Sequence, residues 1–324
     1  MLRVGIVGAG GMGGTHADRW RQLGVNVAAV YSRTSASAGR LAERTGAAVC
    51  ESVADLVAQV DLVDICSPTT AHRDQTLLAL RAGRPVICEK PLARHLDEGI
   101  DMVRAAEATG TPLYVAHVVR FFPEYARVHA LVADGAIGKP GVYRSSRVGG
   151  MPGQGWFTDD AASGGVILDL MIHEFDFARW CCGEVERVFV RRARWAGEPG
   201  GEHALALVRF AGGALGHLEA GWSRAAGPKL TQVEVAGDGG LVEVRGTANY
   251  TLQGYARPDK ALWFPDQPPD DPYLMQLRHF LDCLTNGATP LVTARDGLAA
   301  LQISLAALES AATGRPVTLE PLNL

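Results

Sequence analysis

The stretch MLRVGIVGAGGMGGTHADRWRQLGVNVAAVYSR (residues 1–33) decides the fold of the N-terminal part of the chain. Residues 2–7 and 25–31 are apolar runs typical of buried parallel strands, and residues 12–23 between them have a helical pattern. A G-x-G-x-x-G motif at Gly8, Gly10 and Gly13 separates the first strand from the helix. A strand, a glycine turn, a helix and a second strand form the βαβ unit of a dinucleotide-binding fold.

The glycine turn predicts where a dinucleotide would bind. Gly8 permits a tight turn, Gly10 lets the backbone approach a pyrophosphate, and Gly13 lets the helix pack closely on the strand. The N-terminus of the helix offers its N–H groups to the phosphates. Glycine-rich turns also occur as plain loops, and the position between strand and helix is what favours binding. The predicted cofactor contacts in this turn are Gly8, Gly10, Gly11, Met12 and Gly13.

Length and composition narrow the class of protein. A chain of 324 residues with 47% hydrophobic and 20% charged residues predicts an ordinary globular protein with two domains. A net charge of −4 does not favour a nucleic-acid or membrane partner. The sequence has neither a signal-peptide pattern nor an apolar run of membrane-spanning length. Its six cysteines show no C-x-x-C spacing, so buried free thiols and a cytoplasmic location are expected.

The order of predicted elements indicates an α/β fold with two domains. Strands and helices alternate over residues 1–120, which predicts a doubly wound parallel sheet of the Rossmann type. Residues 121–324 contain strands with polar alternation, interrupted by a helix over 165–181, which predicts an α+β domain on a mostly antiparallel open sheet. This second domain would serve substrate binding and oligomerisation. The C-terminal helix over 294–313 is the element that could pack back on the first domain.

Two loops of the first domain are predicted to meet the glycine turn at the carboxyl edge of the parallel sheet. Lys90 follows a buried strand and precedes a proline, so its ammonium could orient a substrate oxygen, although a surface lysine in a turn is the alternative. The residues of the other loop, which runs from Ser67 to His72, could either cap a helix or contact the cofactor. The predicted cofactor-side residues of both loops are Ser67, Pro68, Thr69, His72, Glu89 and Lys90.

The helix predicted over residues 165–181 carries Asp169, His173 and Asp176 at spacings that place them on one face. An imidazole with a carboxylate one turn away can take a proton from a hydroxyl. A capped or salt-bridged helix end is the structural alternative. A second alternative is that two of these residues are metal ligands on a helix. No third ligand motif is present, so no metal is predicted. Arg120, where the domains change, could be a hinge contact or a substrate-binding residue.

The end of the second predicted strand bears on the choice of cofactor. NAD-binding proteins usually place an acid about twenty residues past the glycines, whereas this chain has Ser32 and Arg33 and no acid before Glu43. A hydroxyl and a guanidinium suit a 2′-phosphate, although Arg33 could instead stack on the adenine. NADP(H) is therefore favoured, and NAD(H) is the alternative.

Taken together, these motifs resemble the glucose–fructose oxidoreductase, inositol dehydrogenase and MocA family (Gfo/Idh/MocA). The matching stretches are GAGGMG (8–13), CSPTTAH (66–72), EKPLA (89–93), VRFFPEY (119–125), GGVILDLMIHEFD (164–176) and AALESAATGRPV (306–317). The resemblance implies a nicotinamide cofactor and a sugar or polyol substrate. It also implies that Lys90 is the catalytic lysine, Asp169 the family's aspartate and His173 the acid/base. The residues that we expect to bind substrate are Lys90, Arg120, Asp169 and His173.

Two features depart from the family pattern and leave the substrate open. Gly-Gly-Val at 164–166 replaces a triple glycine, and His117 stands where many members have a small residue or asparagine. A redox-assisted, NAD-dependent glycosidase on the same fold and a non-catalytic dinucleotide sensor are the competing functions.

The C-terminal sheet predicts self-association. Residues 204–210 and 214–222 are apolar at both strand parities, whereas a sheet covered on one face should alternate. A second subunit is therefore expected to cover the other face, giving a homodimer or homotetramer. Helices of the same chain covering both faces are the alternative.

Overall fold

A computed structural model describes residues 2–150, 155–195, 201–223, 230–246, 251–257, 260–263, 271–322 and 324. Strands and helices alternate over the first part of the chain. They are β1 (Arg3–Val7), α1 (Gly11–Gln22), β2 (Asn26–Tyr31), α2 (Ser35–Thr45), β3 (Ala48–Val49), α3 (Val53–Gln59), β4 (Leu62–Ile65), α4 (His72–Arg81), β5 (Val86–Glu89), α5 (Leu96–Thr109) and β6 (Leu113–Ala116).

These six strands form one parallel sheet in the order β3-β2-β1-β4-β5-β6. Every residue of β4, β5 and β6 is buried, as expected for parallel strands covered on both faces. Local signals set several helix ends: the Ser52 hydroxyl caps α3 by accepting the Asp55 N–H at 3.1 Å, and Gly46 and Gly110 end α2 and α5 in the left-handed region. The predicted doubly wound sheet is confirmed.

The rest of the chain is richer in strands. Its elements are α6 (Pro123–Ala133), β7 (Pro140–Gly150), α7 (Asp160–Ser163), α8 (Ile172–Cys182), β8 (Val185–Arg194), β9 (Glu202–Phe210), β10 (Leu215–Ser223), β11 (Leu230–Gly237), β12 (Gly240–Gly246), β13 (Thr251–Arg257), β14 (Lys260–Trp263), α9 (Pro272–Asn286), α10 (Ala294–Thr313) and β15 (Val317–Thr318). Strands β13 and β14 were not predicted from the sequence.

The nine strands of this part form one sheet in the order β14-β13-β12-β11-β7-β10-β9-β8-β15. Its pairs are antiparallel except for β10 with β7. The predicted mostly antiparallel sheet is confirmed. Helix α8 packs on β7 and β10, so it covers one face of the middle of the sheet. Along β9 buried and exposed residues alternate, as they do in a sheet with one covered face.

The chain divides into two compact units, one of Met1–Phe121, Asp270–Leu298 and Leu324, the other of Phe122–Pro269 and Ala299–Asn323. The first unit therefore includes α9, whereas the sequence prediction assigned all of 121–324 to the second domain. Aromatic packing explains the difference, because Phe280 of α9 stacks on Tyr114 of β6 with ring centroids 5.0 Å apart. No helix in the described ranges combines the length and apolarity needed to cross a bilayer.

Candidate active site

The glycine turn between β1 and α1 leaves no room for side chains on its inner side. Gly8 has a φ of +105°, and a Cβ there would lie 2.6 Å from the Cys66 backbone. A Cβ at Gly13 would lie 1.8 Å from the Gly8 carbonyl oxygen. At Gly10 and Gly11, in contrast, no described atom lies within 4 Å of such a Cβ, and no side chain caps α1. The start of α1 is thus open and fits a pyrophosphate at a helix N-terminus.

The end of β2 adjoins this turn. The Gly8 N–H donates to the Tyr31 carbonyl at 2.8 Å, which places the residues after β2 next to the glycines. Ser32 is half-buried and Arg33 is exposed. The position that carries an acid in many NAD-binding folds is therefore occupied here by a hydroxyl and a guanidinium.

His72 joins the loops that follow β4 and β5. Its Nε2 lies 2.9 Å from the Ser67 carbonyl oxygen, and its Nδ1 lies 2.9 Å from the Pro91 carbonyl oxygen. Burial lowers the pKa of His72, and the carbonyl contacts only partly oppose that effect. The Ser67 hydroxyl donates to Gln75 at 2.6 Å, and Thr69 is buried. The ring thus connects the two predicted cofactor loops, a role that the sequence analysis did not consider.

Lys90 directly follows the buried strand β5. The last residue of β5, Glu89, is 6% exposed, and its Oε2 accepts the Lys90 backbone N–H at 3.1 Å. The Lys90–Pro91 peptide is cis, and Leu92 and Ala93 are fully buried. The backbone on both sides of the Lys90 side chain is therefore held in the core.

The predicted helix over residues 165–181 is not continuous, which corrects the sequence-based prediction. A π-helical turn spans Val166–Leu170, with the Met171 N–H donating to the Val166 carbonyl at 2.8 Å, and α8 begins only at Ile172. The wider turn changes the angle between successive residues, so helical spacing alone does not place Asp169 relative to His173.

A carboxylate of the sheet caps the π-helical turn. Glu202 of β9 is 3% exposed, and its Oε2 accepts the Val166 N–H at 3.0 Å. The residue before the turn, Gly165, has a φ of +65°. Downstream, Asp169 is 7% and His173 9% exposed. The two predicted proton-handling residues therefore lie, largely buried, on a segment whose start is hydrogen-bonded to Glu202.

Arg120 lies in a 3-10 turn at Val118–Phe121 and is only 2% exposed. Its Nη1 donates to the Leu291 carbonyl at 3.0 Å, and its Nη2 lies 3.5 Å from Asp296 Oδ1. These contacts lie within the first unit.

Comparison with known proteins settles the family. Residues 2–117 match the "Oxidoreductase family, NAD-binding Rossmann fold" of GFO/IDH/MocA, and residues 125–243 match the GFO/IDH/MocA C-terminal domain. The chain belongs to the GFO/IDH/MocA family. It is 32% identical to an inositol 2-dehydrogenase of Rubrobacter xylanophilus, with 99% of this chain and 94% of that protein covered.

Two further GFO/IDH/MocA relatives match along nearly the whole chain. A 1,5-anhydro-D-fructose reductase of Ensifer adhaerens is 30% identical, with 99% of both chains covered. The crystal structure of GenD2 from gentamicin A biosynthesis, in complex with NAD, is 28% identical with a TM-score of 0.87 and covers 99% of this chain and 97% of that one. Family membership confirms the predicted nicotinamide-binding Rossmann domain and the oxidoreductase activity, and it does not favour the glycosidase or sensor alternatives.

The sequence analysis of this GFO/IDH/MocA chain missed a buried ion pair beside His173. Arg147 Nε donates to Glu174 Oε1 at 2.5 Å, and Glu174 is fully buried. Burial lowers the pKa of Arg147, but Glu174 and Tyr125 outweigh this and raise it above its usual value. One signal was available: Arg147 shares a strand face with the buried residues Tyr143 and Ser145, where a lone cation requires a counter-charge.

Proposed function

We propose that this protein is a dehydrogenase or reductase that transfers hydride between a nicotinamide cofactor and a CH–OH carbon of a sugar or polyol. The observation that carries the proposal is that Lys90, Asp169 and His173 are all present, each on backbone anchored by buried contacts. The names of two relatives, an inositol dehydrogenase and an anhydrofructose reductase, support a polyol or sugar as the substrate class.

The first unit would hold the cofactor. Its pyrophosphate fits the open start of α1, and the loops that His72 joins would supply the remaining contacts, through Ser67, Pro68, Thr69, Glu89 and Lys90. When bound, the nicotinamide supplies the hydride acceptor or donor. The chain's own residues then handle charge and protons at the reacting oxygen.

In this proposal His173 accepts the hydroxyl proton during oxidation and returns it during reduction. Asp169 fixes the tautomer of the imidazole or binds a neighbouring substrate hydroxyl. The Lys90 ammonium donates to the reacting oxygen and stabilises the negative charge that develops there. No metal ion is needed for these steps.

Reduced-cofactor absorbance tests the proposal. The purified protein is mixed with each cofactor and a panel of polyols, sugars and keto-sugars, in wild type and in Lys90→Ala. We expect turnover on at least one CH–OH compound and a loss of both turnover and substrate affinity in Lys90→Ala. Glycoside cleavage without net absorbance change would contradict the proposal. Tight cofactor binding without turnover on any compound would also contradict it.

Within this function we favour NADP(H) over NAD(H). The exposed Arg33 guanidinium and the Ser32 hydroxyl next to the glycine turn suit a 2′-phosphate. Affinities for both cofactors are compared in wild type, Arg33→Ala and, as a matched control, Arg40→Ala on α2. Arg33→Ala should lose the discrimination and Arg40→Ala should keep it. Equal discrimination in wild type and Arg33→Ala would remove Arg33 from the proposal.

We also infer that a second copy of the chain covers the outer face of the nine-stranded sheet. Four leucines of this sheet are 45–58% exposed: Leu205, Leu207, Leu215 and Leu230. Exposed apolar residues that occur singly are common, whereas several on one sheet indicate an interaction surface. Light scattering should give a dimer or tetramer for wild type and a smaller species for Leu207→Asp. Leu78→Asp on α4 is the control. A wild-type monomer at micromolar concentration would contradict the inference.

The thiols bear on the compartment. All six cysteines are free, and burial raises the pKa of Cys66 and Cys182 to about 12. Buried unpaired thiols are typical of a reducing compartment, so we favour the cytoplasm.

A further inference from the structure

A cluster of buried polar side chains lies beside the turn that carries Lys90. It consists of His16 on α1, Asp64 in β4, the Cys66 thiol just after β4, and Glu89 at the end of β5. His16 and Asp64 are fully buried, and Glu89 is 6% exposed. Charged groups are seldom buried in a parallel sheet unless they compensate one another. The proposed chemistry assigns no role to His16 or Asp64.

Both ring nitrogens of His16 face carboxylates. Nδ1 lies 3.0 Å from each Asp64 oxygen, and Nε2 lies 3.3 Å from Glu89 Oε1. The Nε2 contact is within ion-pair distance but is not a well-directed hydrogen bond. A ring nitrogen without its proton would set a lone pair against carboxylate oxygen, so the geometry favours an imidazolium with a proton on each nitrogen. Trp20 Nε1 also donates to Asp64 at 2.7 Å, which fixes that carboxylate.

The electrostatics agree with this geometry. Burial by itself lowers the pKa of His16, but Asp64 and the Cys66 sulfur together outweigh it and hold the pKa well above the usual value. The facing thiol does not compete for the charge, because burial raises the pKa of Cys66 to about 12. The imidazolium therefore persists at neutral pH between Asp64 and Glu89.

Glu89 connects this cation to the site. One carboxylate oxygen, Oε1, faces His16, while the other, Oε2, accepts the Lys90 N–H at 3.1 Å. We propose that His16 is a positioning residue that holds the Glu89 carboxylate and, through it, the turn that sets the place of the Lys90 ammonium. The inference rests on the proposed function, in which Lys90 acts on the substrate oxygen.

Two substitutions of His16 separate positioning from packing. Asparagine can replace the Nδ1–H donor to Asp64 but is too short to reach Glu89, whereas glutamine can reach Glu89. If His16 acts through Glu89, His16→Asn should lower kcat about 10- to 100-fold, as expected for a displaced catalytic group. His16→Gln should recover most of that loss, and cofactor affinity should change little in both. If His16 acted only by binding Asp64, His16→Asn would keep a higher kcat than His16→Gln. That order would overturn the proposal.

A double-mutant cycle with Lys90→Ala tests the route of the effect. His16→Asn should reduce kcat far less in the Lys90→Ala background than in wild type. An equal factor in both backgrounds would overturn the positioning role alone. Unchanged turnover in Lys90→Ala would overturn the role of Lys90 in the proposed function and the inference with it. Wild-type turnover in His16→Asn beside an impaired Lys90→Ala would overturn only the inference.

Two measurements keep the test informative if the His16 variants fold poorly. Trp20→Phe removes a hydrogen bond to the same Asp64 carboxylate but leaves the His16–Glu89 contact, so it should lower stability while kcat stays within about threefold, well below a displacement effect. Long-range proton–nitrogen spectra of wild type at pH 8 should show both His16 nitrogens protonated. A neutral His16 ring would overturn the proposal. The donor atoms of His16, Asp64 and Cys66 lie within 4.8 Å of one another, so a metal ion bound there stoichiometrically would overturn it as well.

Discussion

Each of the two compact units buries an ionic cluster next to a proposed site residue, but the cations differ. In the first unit, His16 lies between Asp64 and Glu89, and Glu89 precedes Lys90. In the second, Arg147 binds Glu174, which follows His173. An imidazolium exists at neutral pH only because carboxylates stabilise it, whereas a guanidinium is charged at every pH the fold tolerates. Raising the pH can therefore remove the positive charge of the first cluster but not that of the second.

The largest effect is expected from removing the site residue that the second cluster adjoins. His173→Ala should lower kcat by about 10²–10⁴-fold, because a positioned acid/base is lost, while cofactor affinity stays near wild type. Steady-state kinetics and cofactor titration measure the two quantities. His203→Ala is the control, since His203 also pairs with a carboxylate, Glu219 at 2.6 Å. An equal loss in both variants would contradict a specific role for His173.

Breaking the second cluster should cost stability at every pH. Glu174→Ala leaves the Arg147 cation without its buried partner, and such a change typically costs about 3–5 kcal/mol of unfolding free energy. Urea unfolding measures it. Glu186→Ala is the matched control, because its pair with Arg209 is exposed, and such pairs contribute about 0–1 kcal/mol. Similar losses in the two variants would show that the Arg147–Glu174 pair is not sealed from water.

The first cluster should make stability depend on pH. The pKa of His16 is raised in the folded state, so its contribution is complete below the unfolded value of about 6.5 and is lost as pH rises through the folded value. One proton changes stability by at most about 1.4 kcal/mol per pH unit. Unfolding free energies from pH 6 to 9 should fall more steeply in wild type than in His16→Gln. Glu174→Ala should keep the wild-type slope, and parallel curves for wild type and His16→Gln would contradict the imidazolium.

The smallest effect on stability is expected from removing a single hydrogen bond of the second cluster. Tyr125 accepts from Arg147 Nη2 at 3.2 Å, and the Glu174 contact remains in Tyr125→Phe. We expect a loss of about 1 kcal/mol, the net value of a typical hydrogen bond, with no change in its pH dependence. Thermal unfolding at pH 6 and pH 8.5 measures both. A loss as large as that of Glu174→Ala would mean that the phenol, and not the carboxylate, anchors the guanidinium.

Most of the fold could be predicted from the sequence because its signals are local. The glycine motif after an apolar run, the alternation of strands and helices, and caps such as Ser52 depend on residues close together in the chain. The π-helical turn at Val166–Leu170 could not be predicted, because an apolar helical pattern continues through it. Its N-terminus is held instead by Glu202, which lies 36 residues further along the chain.

The sequence by itself determined the Rossmann unit and the identity of the residues proposed for chemistry, since both are written as short motifs. Only the tertiary structure decided what supports those residues. His16 meets Asp64 across 48 positions because β1, which leads into α1, pairs with β4 in the sheet. Strand order sets that contact, and no periodicity or spacing in the chain encodes strand order. Buried charge compensation is therefore visible only after folding brings distant polar residues into one apolar environment.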